Sequence, residues 1–208
     1  MKHNLTLPID VRKYDNDKQF FDEAYNIFQM ELQARYNRPN LFNKFIYIDE
    51  KVKYDNKPNG FWHISSIGED DTKYDMYPCC NDITNGLCKY MCDFGHPENF
   101  LKDDNSIPCI YRACRIKWVR EIIELANNNK NHPNLRIWQH KNQRTKEKTL
   151  KIRYLNGCID YIIIFKISYK NSDIYCYRLK TAYPVVLKSY KKRFDREYNN
   201  YIIMKSKK

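Results

Sequence analysis

An α+β fold is what this sequence predicts, and three observations lead to it. Apolar residues recur at helical spacing over Asp17–Tyr36 and again over residues 111–127. Four apolar or alternating segments crowd residues 135–184. Turn signals separate those segments. The expected architecture is N-terminal helices packed on a roughly four-stranded antiparallel sheet, with a Cys-rich insertion.

Taken in order, Phe20, Phe21, Ala24, Ile27, Phe28 and Leu32 make the first helical stripe. Asp17 is the expected cap, and Pro39 bars continuation. Phe45–Tyr54 has strand-like composition, Asn56 to Gly60 reads as a turn, and Phe61–Ser65 reads as a second apolar strand. Residues 68–108 are polar and rich in Asp, Asn and Cys, so they read as a long insertion or loop. A second helix follows, with Cys114, Trp118, Ile122 and Leu125 on one stripe. Leu135–Trp138 is a short strand, and Thr149–Leu155 alternates strictly. Asn156-Gly157 marks a tight turn. Cys158–Ser168 is almost wholly apolar and reads as a central strand. Asn171–Asp173 turns into Ile174–Tyr183, which Pro184 stops. Leu187–Tyr201 is a basic amphipathic helix. One domain is expected over 1–208, with a helical part at 1–44, the insertion at 69–107, and helix, sheet and basic tail at 108–208.

The chain carries 37 Lys and Arg against 25 Asp and Glu, a formal net charge of +12. Residues 1–100 hold 12 basic and 16 acidic side chains, while residues 101–208 hold 25 and 9. The second part is therefore the expected contact surface for a polyanion, since a cationic face concentrates phosphate backbones. Aromatics at 15% exclude a disordered polymer, and only five glycines exclude a collagen-like design. No apolar run approaches the ~20 residues that span a bilayer. The first residues lack the apolar core of a signal peptide, so a cytoplasmic protein with no membrane partner is expected.

Eight cysteines, read without an export signal, do not suggest a disulfide framework. They read first as small apolar residues. The alternative is a structural zinc held by Cys80, Cys88, Cys92 and His96, whose x3 spacings put three donors on one helical face. Otherwise no cofactor is expected. The acidic run Glu69-Asp70-Asp71 reads as solvated loop rather than a magnesium site.

No P-loop, G-x-G-x-x-G or G-x-S-x-G element occurs. The residues that could carry chemistry are basic and polar instead. They suit metal-independent RNA cleavage, which needs a proton acceptor for the ribose 2′-OH, cations around the phosphorane and a proton donor for the 5′ oxygen. Histidine suits proton transfer, because it titrates near neutral pH. Arginine suits the phosphate through paired hydrogen bonds. Arg136, His140, Lys141, Arg144, Lys151 and Arg153, with Lys188, Lys191, Lys192 and Arg193, form the basic runs expected to touch RNA.

Three segments resemble the barnase/EndoU/colicin/RelE-like nuclease superfamily, and its phage-associated branch most. They are Gly60-Phe61-Trp62-His63-Ile64-Ser65, the run from Pro108 to Ile123 with Arg112 and Arg115, and Tyr161–Phe165 with Tyr177–Pro184. The resemblance implies an endoribonuclease that needs no metal, often a toxin or phage-defence effector held by a cognate antitoxin or other inhibitor. By that similarity His63, Arg112, Arg115, Thr181 and Tyr183 fall on the catalytic motif positions. The alternatives are a non-catalytic nucleic-acid-binding regulator and a zinc-stabilised interaction module.

Overall fold

The computed structural model describes residues 5–68 and 106–207. The 69–105 stretch, with Glu69-Asp70-Asp71, Cys80, Cys88, Cys92 and His96, lies outside the described residues. The chain groups into two compact units: Met1–Arg38 with Asp49–Glu121, and Pro39–Ile48 with Ile122–Lys208.

In the first unit, α1 spans Asp17–Phe28 and buries Phe20, Phe21, Ala24, Ile27 and Phe28. Its cap is Asn16, one residue before the expected Asp17, and the Asn16 side chain accepts from the Gln19 N–H at 3.0 Å. That bond satisfies one of the donors a helix start leaves open. Asn16→Ala is expected to lower stability by about 1 kcal/mol in urea unfolding. The helix ends earlier than Tyr36, in a π-helical turn over Gln29–Gln33. Arg38 terminates it by donating to the Leu32 and Gln33 carbonyls at 2.8 and 2.6 Å.

The hairpin of β2 (Lys53–Tyr54) and β3 (Lys57–Pro58) turns through Asp55 and Asn56, both in the left-handed region. It leads into α2, Asn59–Ser65. Phe61–Ser65 is thus helical, which corrects the expected strand. A short apolar run fits either state, and tertiary packing decides. Here the Phe61 ring lies 5.6 Å from Phe28 and the Trp62 ring 5.9 Å from Phe21, on the α1 stripe. Next, β4 (Ser66–Gly68) pairs antiparallel with β5 (Ser106–Pro108). The expected helix over 111–127 is divided into α3 (Ile110–Ala113) and α4 (Ile116–Asn128). The boundary between the units falls inside α4.

The second unit is built on a five-stranded mixed sheet in the order β1-β9-β8-β7-β6. The strands are β1 (Phe45–Tyr47), β6 (Leu135–Lys141), β7 (Lys148–Asn156), β8 (Ile159–Lys170) and β9 (Asp173–Pro184). Successive strands from β6 to β9 pair antiparallel, but β1 adds to β9 in parallel. The four-stranded antiparallel expectation is corrected to this mixed sheet, because β1 comes from far along the chain and no local turn announces its pairing. The β7–β8 turn places Gly157 at φ 59°, and the β8–β9 turn places Asn171 and Ser172 at φ 49° and 71°.

The two faces of the sheet differ. Leu150, Ile152 and Tyr154 of β7 point to one face, Lys151 and Arg153 to the other. Across the second face runs α5, Lys188–Ser206. Its Phe194 packs with Trp138, Ile162, Tyr183 and Val185, flanked by Tyr190, Tyr198 and Tyr201. The helix buries Phe194 and exposes Lys188, Lys192 and Arg196. Among the described residues no helix is long and apolar enough to cross a membrane.

Candidate nucleic-acid interface

His63 stands half-buried in the last turn of α2. Arg112 of α3 is 7% exposed, and its Nη1 donates to the Ser66 carbonyl at 2.6 Å. Arg115, between α3 and α4, is 2% exposed. Its guanidinium lies 3.8 Å from the Tyr111 ring centroid and 5.2 Å from that of Trp118, and it donates to the Tyr111 carbonyl. These two arginines therefore engage the rings and backbone of their own unit. Thr181 and Tyr183 belong to β9 in the second unit, opposite Ile164 and Ile162. Tyr183 is buried under Phe194, and Thr181 is half-buried. Three of the five resemblance-derived residues thus lie in one unit and two in the other.

The predicted RNA-contacting cations divide into two groups. Arg136, Lys151 and Arg153 meet carboxylates beneath α5. Arg153 makes paired bonds of 2.7 Å to Asp160 and one of 2.9 Å to Asp195, which also accepts from Arg136 at 2.6 Å. Burial opposes the Arg153 charge, yet Asp160 and then Asp195 hold its pKa above the ordinary arginine value. Lys151 donates to Glu197, which also accepts from the Trp138 indole at 3.2 Å. Burial nevertheless pushes the Lys151 ammonium below its usual range. Lys191 approaches Asp160 at 4.0 Å, and the Arg193 guanidinium lies 4.6 Å over the Tyr190 ring. Lys188 and Lys192 are exposed on α5.

His140, Lys141 and Arg144 lie elsewhere, at the end of the sheet that α5 leaves open. The strand register builds a row there across all five strands. His140 is opposite Thr149, Thr149 opposite Lys166, Lys166 opposite Arg178, and Arg178 opposite Tyr47. Directly opposite residues share a face, with neighbouring Cβ atoms about 4.5–5.5 Å apart. His140 and Lys166 therefore flank Thr149 from its two sides. The Arg178 guanidinium lies 4.3 Å over the Tyr47 ring. Lys166 and Arg178 are exposed, and His140 and Tyr47 are half-exposed.

No protein-family model, curated protein or solved structure matches the chain.

One carboxylate sits among these cations. Glu147 accepts from Lys180 at 2.7 Å and pairs with Lys166 at 3.4 Å. Lys180, then Lys166, draws its pKa below the usual carboxylate value, against some burial. The stabilisation from these pairs is therefore present above the ordinary glutamate range and fades as acid protonates Glu147. Lys166, Arg178, Lys180 and Tyr47 were missed by the sequence reading. For Lys166, Arg178 and Lys180 the local signal is the β8–β9 hairpin, but plain alignment across the Asn171–Ser172 turn sets Lys166 opposite Tyr177, and only the bulge that omits Tyr175 moves Arg178 into that place. Among the described residues, no group of three or more His, Cys, Asp and Glu stands ready to hold a metal ion.

Proposed function

We propose that this protein binds RNA at the open end of its sheet and cleaves it there without a metal. The observation that supports this reading is the row His140–Thr149–Lys166–Arg178–Tyr47, which gathers a proton-transfer group, two cations and the Tyr47 hydroxyl on one face, with buried Thr149 donating to the His140 carbonyl at 3.3 Å. In the proposed step, the ribose 2′ oxygen attacks phosphorus and the bond from phosphorus to the 5′ oxygen breaks. His140 exchanges a proton with one of these two oxygens, and solvent serves the other. Lys166 and Arg178 meet the charge that builds on the phosphorane. The family resemblance agrees in reaction type, but it assigns the proton transfer to His63. Burial of Arg112 and Arg115 favours the sheet row over that assignment. A role as a toxin or phage-defence effector, restrained by an inhibitor protein, is the part of this reading that rests on the resemblance.

Binding tests the reading first. RNA affinity should fall with salt at a log–log slope steeper than about −2, because three or more phosphates exchange counterions at ~0.7 each. Lys166→Gln with Arg178→Gln should make that slope shallower by about 1.4, at ~0.7 for each lost contact. An affinity indifferent to salt and to both substitutions would leave the row without a role in binding.

A non-catalytic RNA-binding regulator is the second reading. It is favoured by one observation, that α5 occupies the Arg136, Lys151 and Arg153 end of the same face with its own carboxylates.

A further inference from the structure

Glu147 is the one acid among residues 139–148, a run that also carries Lys141, Arg144, Lys146 and Lys148. It ends the turn between β6 and β7, and other groups hold the backbone of that turn. The Asn142 side chain accepts from the Arg144 and Thr145 N–H groups at 2.9 and 3.0 Å. The Asn142 N–H donates to the Glu147 carbonyl at 2.9 Å. The shape of the turn therefore does not depend on the Glu147 side chain.

That side chain reaches instead to the β8–β9 hairpin. Its Oε1 accepts from Lys180 Nζ at 2.7 Å, and its Oε2 lies 3.4 Å from Lys166 Nζ. A bulge supplies the second lysine. The register on β9 passes from Thr181 to Leu179 and omits Lys180, and bulges of this kind re-aim a side chain. Lys166 is a member of the row, and the shared carboxylate puts Lys180 on the same face beside it.

A phosphodiester fits the same two lysines. Like a carboxylate, it carries its charge on two free oxygens, and each oxygen can meet one ammonium. The Lys166 and Lys180 side chains are 47% and 46% exposed, so a ligand reaches them from solvent. Exposed ion pairs are worth little, so an incoming phosphate can exchange for the carboxylate. While Glu147 stays in place, its charge opposes any phosphate that approaches Lys166.

We infer that Lys166 and Lys180 form a phosphodiester seat, that Glu147 fills it in the free protein, and that a phosphate of the bound RNA takes its place. This inference rests on the RNA reading above and adds a resident competitor to the same site. Removing the Glu147 charge should then strengthen binding, the reverse of what loss of a contact residue does.

The test is fluorescence anisotropy of the full chain at low salt with a short labelled 2′-O-methyl RNA. The methylated sugar blocks 2′-OH attack, so binding is read without cleavage. Glu147→Gln is expected to tighten binding by about 3-fold, the scale of an exposed ion pair. In a chain that also carries Lys166→Gln and Lys180→Gln, the same substitution should change affinity by less than about 1.5-fold, because the groups it acts through are gone. Glu23→Gln in the other unit controls for net charge and should bind like the parent. Glu23 accepts from the Asn26 amide at 3.4 Å, a bond that glutamine can keep. Unchanged or weaker binding by Glu147→Gln would overturn the inference while leaving RNA binding intact. So would a tightening that persists without the two lysines, or one that Glu23→Gln matches. An absence of RNA binding by the parent would overturn the RNA reading and the seat with it.

Discussion

His140→Ala is expected to slow RNA cleavage by about 10²–10⁴-fold, the usual contribution of a positioned proton-transfer group. His140 is half-exposed on β6, an edge strand of the sheet, so its loss should leave folding intact. RNA affinity should stay close to that of the parent, because phosphate contact falls to Lys166 and Arg178. The comparison variant is His63→Ala in the other unit. Single-turnover cleavage of a labelled RNA by both variants separates the two assignments. A His63→Ala protein that is folded and has lost its rate, beside a fully active His140→Ala protein, would move the chemistry to α2.

The largest stability effect is expected at the ion pairs beneath α5. Asp160→Ala should destabilise the protein by about 3–5 kcal/mol, measured by urea unfolding. The Arg153 and Asp160 side chains are 3% and 8% exposed, and Asp160 supplies both oxygens of a paired contact. Without it Arg153 keeps only Asp195 among these carboxylates, and that side chain is 45% exposed. Replacing Arg153 by Met and Asp160 by Leu together should recover much of the loss, since the cost lies in the stranded charge rather than in the volume. A single-variant loss under about 1 kcal/mol would show that water reaches Arg153 and that the pair does not act as a buried one.

How far these sites were legible in the sequence depends on the range of the interactions that build them. The strands from β6 to β9 announce themselves, because each lies beside its partner and the turns at Gly157 and Asn171–Ser172 carry local signals. The sequence of β1 resembles a strand, but nothing in it tells that Tyr47 will stand opposite Arg178. Phe61 to Ser65 reads as a strand but folds as a helix, because its apolar run has no period long enough to separate the two. The candidate site was less legible than the fold. Its row depends on the register of five strands, and two bulges displace that register on β9. A sum of charges also conceals Asp195 and Glu197, two acids within a basic tail that face Arg136, Arg153 and Lys151. Counted along the chain, those three cations looked available to RNA. Placed in the sheet, they meet Asp160, Asp195 and Glu197, whereas Lys166 and Arg178 at the opposite end are exposed.

The most direct measurement of the central claim is the chemistry of the cut ends. RNA incubated with the full chain in EDTA should be cleaved to fragments ending in 2′,3′-cyclic phosphate and beginning with 5′-OH, because the nucleophile is the substrate's own 2′ oxygen. Fragments bearing 5′-phosphates, or cleavage that stops in EDTA and returns with magnesium, would contradict the account.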